Sequence, residues 1–141
     1  KILLIDDSEM NRAILREVLG EEFAVLEAAN GEEGLEYLEE HEEDISLVLL
    51  DIIMPVMDGF EVLRVMSEKN FLDNIPVIMI SSEESETYVK KAYEMGAMDY
   101  INRPFDAQVV YRRVFNTIKL YAKQRRLIAL VTDQIKSELK K

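Results

Sequence analysis

Residues 47–63 read LVLLDIIMPVMDGFEVL, and the fold turns on them. Leu47–Leu50 is a short, unbroken apolar run, the pattern of a strand buried on both faces of a parallel sheet. The run stops at a carboxylate, Asp51. Pro55 and the Asp58–Gly59 pair then interrupt regular structure and predict a loop with a turn. Phe60, Leu63 and Met66 recur every third residue, one face of a helix. Strand, acidic strand end, loop and helix together form half of a βαβ unit.

Outward from that segment the same alternation repeats. Four more short apolar runs, Ile2–Ile5, Phe23–Leu26, Val77–Ile80 and Met98–Ile101, are expected to be buried strands. Amphipathic stretches lie between them. Ile14, Leu15, Val18 and Leu19 make a helical stripe that Gly20 is placed to cap. Leu35 and Leu38 mark a second helix. Tyr88 or Val89, with Ala92 and Met95, marks another that Gly96 closes. A last one starts after Pro104 with Asp106 as N-cap. Strands alternating with helices require parallel pairing through right-handed crossovers. The expected fold is α/β: a doubly wound, five-stranded parallel sheet with helices on both faces.

Composition narrows the chemistry. The 141 residues suit one domain, and 48% hydrophobic with 32% charged residues is the balance of a globular protein. The absence of cysteine excludes disulfides, thiolate metal sites and a cysteine nucleophile, and a single histidine argues against zinc and against a serine–histidine triad. His41 lies in the acidic run Glu39–Asp44, expected to be a solvated helix end. The longest apolar runs, Ile52–Met57 and Ile75–Ile80, are far short of a membrane span and each contains proline. With no signal peptide and no initiating methionine, the expectation is a cytoplasmic piece of a longer chain. The net charge of −11 is unevenly spread, with 8 Lys+Arg against 25 Asp+Glu in residues 1–105 and 9 against 3 in residues 106–141. An acidic body repels nucleic acid and gathers divalent cations.

The chemistry-bearing residues stand at strand ends, where parallel α/β sheets bind ligands. Asp6 and Asp7 follow the first strand, Asp51 the third, Ser81 the fourth and Arg103 the fifth. Converging carboxylates repel one another and favour a hard cation. Mg²⁺ takes oxygen ligands, keeps several waters and bridges phosphates. A carboxylate beside it can accept a phosphoryl group, with Arg103 and Ser81 holding the phosphoryl oxygens.

Four segments, in order and each at a strand end, carry a resemblance: ILLIDDSEMNR, LVLLDIIMPVMDGFEVL, IPVIMISS and GAMDYINRPF. They resemble the receiver domain of two-component response regulators, over about residues 1–120. The resemblance implies the flavodoxin-like receiver fold and a regulatory phosphoacceptor in place of a turnover enzyme. It implies Asp51 as the residue phosphorylated by a sensor histidine kinase or phosphotransfer protein. It also implies Mg²⁺ held by Asp7, by Asp6 through water, by Asp51 and by the carbonyl of Ile53. Ser81 matches the hydroxyl that binds the phosphoryl group, and Tyr100 the aromatic that repacks with Ser81 on switching. The resemblance also implies a responding face built from the fourth helix, fifth strand and fifth helix. Arg103 stands where the family has lysine, before a proline expected in cis. An arginine there can clamp phosphate, or pair with Asp51 or Asp6 and hold the pocket closed.

From Asp106 to Lys141 there is neither glycine nor proline, so the fifth helix is expected to outrun its domain. Residues 121–141 are then a helical extension towards an output domain or a coiled-coil partner. Val110, Val114, Thr117, Tyr121, Gln124, Ile128, Val131 and Ile135 alternate spacings of four and three, a heptad seam suited to a homodimer. The segment VFNTIKLYAKQRRLIALVTDQI is similar to linkers that join receivers to cyclic-di-GMP enzymes of the HD-GYP or GGDEF type. Neither a membrane nor direct nucleic-acid contact is expected of this piece. Two other classes compete. An aspartyl-nucleophile hydrolase wants a second acid two residues past Asp51, where Ile53 stands. A phosphate-blind receiver locked by Arg103 would have no use for the acidic trio.

Overall fold

The computed structural model describes residues 1–82 and 85–140. Five strands, β1 (Ile2–Ile5), β2 (Val25–Ala28), β3 (Leu47–Leu50), β4 (Val77–Ser81) and β5 (Asp99–Asn102), form one parallel sheet in the order β2-β1-β3-β4-β5. Five helices, α1 (Glu9–Leu19), α2 (Gly31–His41), α3 (Gly59–Glu68), α4 (Glu86–Glu94) and α5 (Ala107–Leu139), complete the expected doubly wound fold.

Period-two alternation sorts the strand side chains into two cores. Leu3, Ile5, Val48, Leu50, Val77, Met79 and Tyr100 join one cluster with Leu38 of α2, Val62, Leu63 and Met66 of α3, and Ala92 of α4. Ile2, Leu4, Leu47, Leu49, Ile78, Ile80 and Ile101 join the other with Leu15 and Leu19 of α1 and Val110 and Val114 of α5. Both faces of the central strands are therefore covered, which is why their sequences lack polar alternation.

Two strands are displaced from the sequence-based bounds. β2 begins at Val25, not Phe23, because a 3₁₀ turn over Gly20–Glu22 consumes the residues after α1 and Phe23 leaves it as the cap. Register then fixes Val25 opposite Ile2. As an edge strand, β2 tolerates Glu27, which pairs with Arg12 and Arg16 of α1. β5 starts one residue late, at Asp99, leaving Met98 outside the strand and 39% exposed.

Capping explains the helix starts. Ser8, Asn30, Asp58, Ser85 and Asp106 each accept a hydrogen bond from a first-turn amide of the helix that follows. Asp58 is thus an N-cap, more specific than a turn residue beside Gly59. Gly20 follows α1 with φ 67° and Gly96 follows α4 with φ 106°, the left-handed conformation that glycine adopts without penalty.

α5 runs unbroken for 33 residues. It starts at the carboxyl edge of the sheet, after β5, and passes the opposite edge, where Arg125 donates to the carbonyl of Asn74 ahead of β4 at 2.5 Å. Val110 and Val114 are buried against the domain, so the first two seam positions are occupied by the molecule's own core. Every described residue from 122 to 140 is exposed, including Ile128, Val131 and Ile135.

Candidate functional site

Sheet order creates the site. β1 and β3 are neighbours, yet the chain leaves them in opposite directions across the sheet, β1 to β2 and β3 towards β4. The carboxyl ends of this pair are the topological switch point, the usual place for a ligand in such folds. Ile5 lies opposite Leu50, so the next residues, Asp6 and Asp51, emerge side by side. The Asp51 amide donates to the Ile5 carbonyl at 3.0 Å and holds the acid in the ladder's continuation. On the other side, the Asp6 amide donates to the Ala28 carbonyl at 3.1 Å.

Asp6 and Asp51 are buried, at 2% and 8% exposure, whereas Asp7 is on the exposed rim. One carboxylate oxygen from each of the three lies within 4.8 Å of the others. Three hard anionic oxygens this close fit a cation that prefers oxygen ligands, such as Mg²⁺. Ile53 follows two residues after Asp51 with its side chain more than half exposed, so any part it takes is through its main chain.

Arg103 reaches into this pocket from the β5 end. Its Nη2 donates to Asp6 Oδ2 at 2.8 Å, and its Nη1 is 3.7 Å from Asp51 Oδ1. Its amide donates to the carbonyl of Ser81, itself fully buried, at 2.9 Å. The Arg103–Pro104 peptide is cis, as anticipated. Of the two roles open to Arg103 in the sequence, pairing with the pocket acids is the one adopted.

Asp51 has an unusual titration. Burial, then the neighbouring Asp6 charge, push its pKa up from 3.8 to about 6; Arg103 and the Ile52 backbone amide pull the other way, and Asp7 adds a smaller upward push. Tyr100 is 7% exposed and packs in the same apolar cluster as Met79 and Ala92, with Tyr88 and Val89 of α4 against that cluster. Its carbonyl accepts from Arg113 of α5 at 3.3 Å. Beside Arg103 opens a groove of about 440 Å³ lined by Asn11, Ile14, Ser82, Arg103, Pro104 and Phe105.

Two residues support the site in ways the sequence reading does not supply. Arg12 Nη1 donates to the Asp6 carbonyl at 2.5 Å while its Nε pairs with Glu27 at 3.1 Å, tying α1 and β2 to the acidic strand end. Asp6 is six residues away and Glu27 fifteen, and no helical or strand spacing joins the three in the sequence. Gly59 had a signal, the Asp–Gly pair, but its reason is steric. A Cβ there would lie 2.3 Å from the Asp51 carbonyl oxygen and 2.9 Å from Ile52 Cα. Only glycine lets α3 start this close to the acid. His41, at the end of α2, stands away from the pocket and contributes nothing to it.

The response regulator receiver domain family matches residues 2–115. The chemotaxis protein CheY of Halobacterium salinarum is 43% identical over 106 residues, covering 74% of this chain and 85% of its own. A probable cyclic di-GMP phosphodiesterase of Vibrio cholerae is 34% identical over 80% of this chain, which spans only 25% of that protein. Among solved structures, the CheX–CheY–BeF₃–Mg²⁺ complex of Borrelia burgdorferi is 36% identical, with a TM-score of 0.74 over 82% of this chain and 86% of that one.

Proposed function

This chain belongs to the response regulator receiver domain family of two-component systems, and from that premise we propose that Asp51 is its phosphoacceptor. Receiver domains are regulatory, so the outcome of the reaction is a switched conformation. The observation that carries the proposal is the buried pairing of Asp6 with Asp51 at the switch point, with Asp7 and Arg103 around them.

The donor is a phosphohistidine on a sensor kinase or phosphotransfer protein. An Asp51 carboxylate oxygen attacks the phosphorus in line as the P–N bond breaks. The electron pair returns to the imidazole, which picks up a proton from water, and the product is an acyl phosphate on Asp51. Asp7, Asp51 and the Ile53 carbonyl would hold Mg²⁺, with Asp6 as the acidic neighbour that would act through water. When bound, the ion supplies the positive charge that lets an anionic nucleophile meet an anionic phosphoryl group. Arg103 and the Ser81 hydroxyl hold the equatorial oxygens.

A phosphoryl group in the pocket draws Ser81 and Arg103 towards it and shifts the packing of Tyr100 under α4. Arg113 links the Tyr100 carbonyl to α5, which supports a response across α4, β5 and α5. Residues 1–120 form the receiver and 121–141 a helical extension, described to Lys140. Its exposed seam, Ile128, Val131 and Ile135, supports a homodimer through α5. The similarity to a piece of a cyclic di-GMP phosphodiesterase supports an output of cyclic-di-GMP type.

Incubation with Mg²⁺ and acetyl phosphate tests the central claim. Intact-mass and peptide analysis are expected to find one phosphoryl group, on Asp51, absent in Asp51→Asn and strongly reduced in Asp7→Ala. Labelling of Asp51→Asn at the parent level would remove Asp51 from the role.

A further inference from the structure

We propose that Arg103 is a built-in counter-cation that competes with Mg²⁺ for the acidic pocket, so that metal enters only as the guanidinium leaves. The proposal rests on the receiver reading and adds a step to it. Both oxygens of Asp6 are engaged, Oδ1 by the Ser8 amide at 2.8 Å and Oδ2 by Arg103 at 2.8 Å. The other amino group of the same guanidinium faces Asp51 Oδ1 at 3.7 Å. The side chains are 17% exposed for Arg103, 3% for Asp6 and 9% for Asp51, so water screens this bridge little.

The planar fork explains why arginine suits this role. Nη1 and Nη2 address two carboxylates at once, relieving the repulsion between Asp6 and Asp51 that metal would otherwise relieve. A lysine ammonium is a compact, strongly hydrated point charge and lacks a second arm. A hydrated Mg²⁺ would draw on the same negative charge, and Arg103 already neutralises part of it through Asp6 Oδ2. The displaced guanidinium, still tethered through the Arg103 amide to the Ser81 carbonyl at 2.9 Å, is then in reach of a phosphoryl group on Asp51. One residue thus neutralises the pocket acids and, once released, becomes a ligand for the product.

Calorimetric titration of Mg²⁺ at pH 8 into the full chain, Arg103→Lys and Arg103→Met tests this. The dissociation constant is expected to tighten about fivefold or more in Arg103→Met and by an intermediate factor in Arg103→Lys. In the ¹⁵N-labelled parent, the Arg103 guanidinium Nη–Hη resonances, identified by their loss in Arg103→Lys, are expected to be protected from exchange without metal, because Nη2 donates to Asp6. Mg²⁺ titration should abolish that protection. Parent-like affinity in both variants, or an Arg103 resonance unmoved by saturating Mg²⁺, overturns the proposal. Tighter binding in Arg103→Met alone, with Arg103→Lys at the parent value, overturns the role of the fork and leaves net charge as the cause. Should Arg103→Met fail to fold, the lysine variant and the resonance still decide. Acetyl phosphate labelling of the same samples separates the two levels. Labelling and Mg²⁺ binding that ignore residue 103 overturn this proposal only, whereas absence of both in all three proteins overturns the receiver reading with it.

Discussion

Asp51 occupies a position where folding and function oppose each other. Its folded pKa, about 6, is above its ordinary 3.8, so between those values the native state binds more protons than the unfolded chain. Stability therefore falls as pH rises from about 4 through about 6, and stays lower above it. Full conversion of that shift would give about 3 kcal/mol; solvent at the pocket mouth reduces it to about 1–2 kcal/mol. Asp51→Asn is expected to gain that amount at pH 7.5 without metal and almost nothing near pH 4, read from urea unfolding at both pH values. A gain equal at both would trace the effect to something other than ionisation of Asp51. The acids themselves were legible in the sequence because each ends an apolar strand. The pairing of Arg103 with Asp6 was legible only as one of two alternatives, because it depends on which rotamer wins across 97 residues of chain.

Among the elements, the β3–α3 connection bears the most strain. Val56 has φ 68° and is 92% exposed. A β-branched side chain in the left-handed region costs about 1–2 kcal/mol, and solvent exposure leaves no packing to offset it. Val56→Gly is expected to raise stability by about 0.5–1 kcal/mol after the greater unfolded-state freedom of glycine is subtracted. A urea midpoint that stays put or falls would mean that Val56 makes contacts in solution that the loop conformation conceals. The same loop marks the limit of sequence reading. Pro55 and Asp58–Gly59 announce a turn, but nothing local says that valine takes the left-handed position. Strand existence was legible from apolar runs, and strand bounds less so. β2 shifted because a 3₁₀ turn over Gly20–Glu22 leaves Phe23 as its cap, and apolar content alone does not separate a strand residue from a cap residue packed on the same core.

At the scale of the molecule, an acidic body carries a basic helix. In the heptad frame, Lys119, Lys123, Arg126, Lys136 and Lys140 fall outside the seam that Tyr121, Ile128 and Ile135 define, so two such helices can meet on their apolar faces. Like-charged bodies and helices repel, and added salt is expected to strengthen a homodimer. Sedimentation should find the parent associating more with salt and with beryllofluoride, and Ile128→Asp remaining monomeric. A parent complex that dissociates with salt would instead be a basic helix on an acidic surface. The core holds α5 through buried Val110 and Val114 and through Ile118 packed against them, and Arg125 adds one hydrogen bond further on. Because α5 has no glycine or proline, it has no joint and acts as a lever with its fulcrum in the domain. From Ile118 to Leu139 the arm is about 32 Å long, so a tilt of about 5° sweeps its tip through about 3 Å. It is also a clock hand. Each residue added or removed between the fulcrum and the stripe turns the stripe's azimuth by about 100°. Deleting seven residues brings it back to within about 20°, whereas deleting two points it at the opposite side of the molecule.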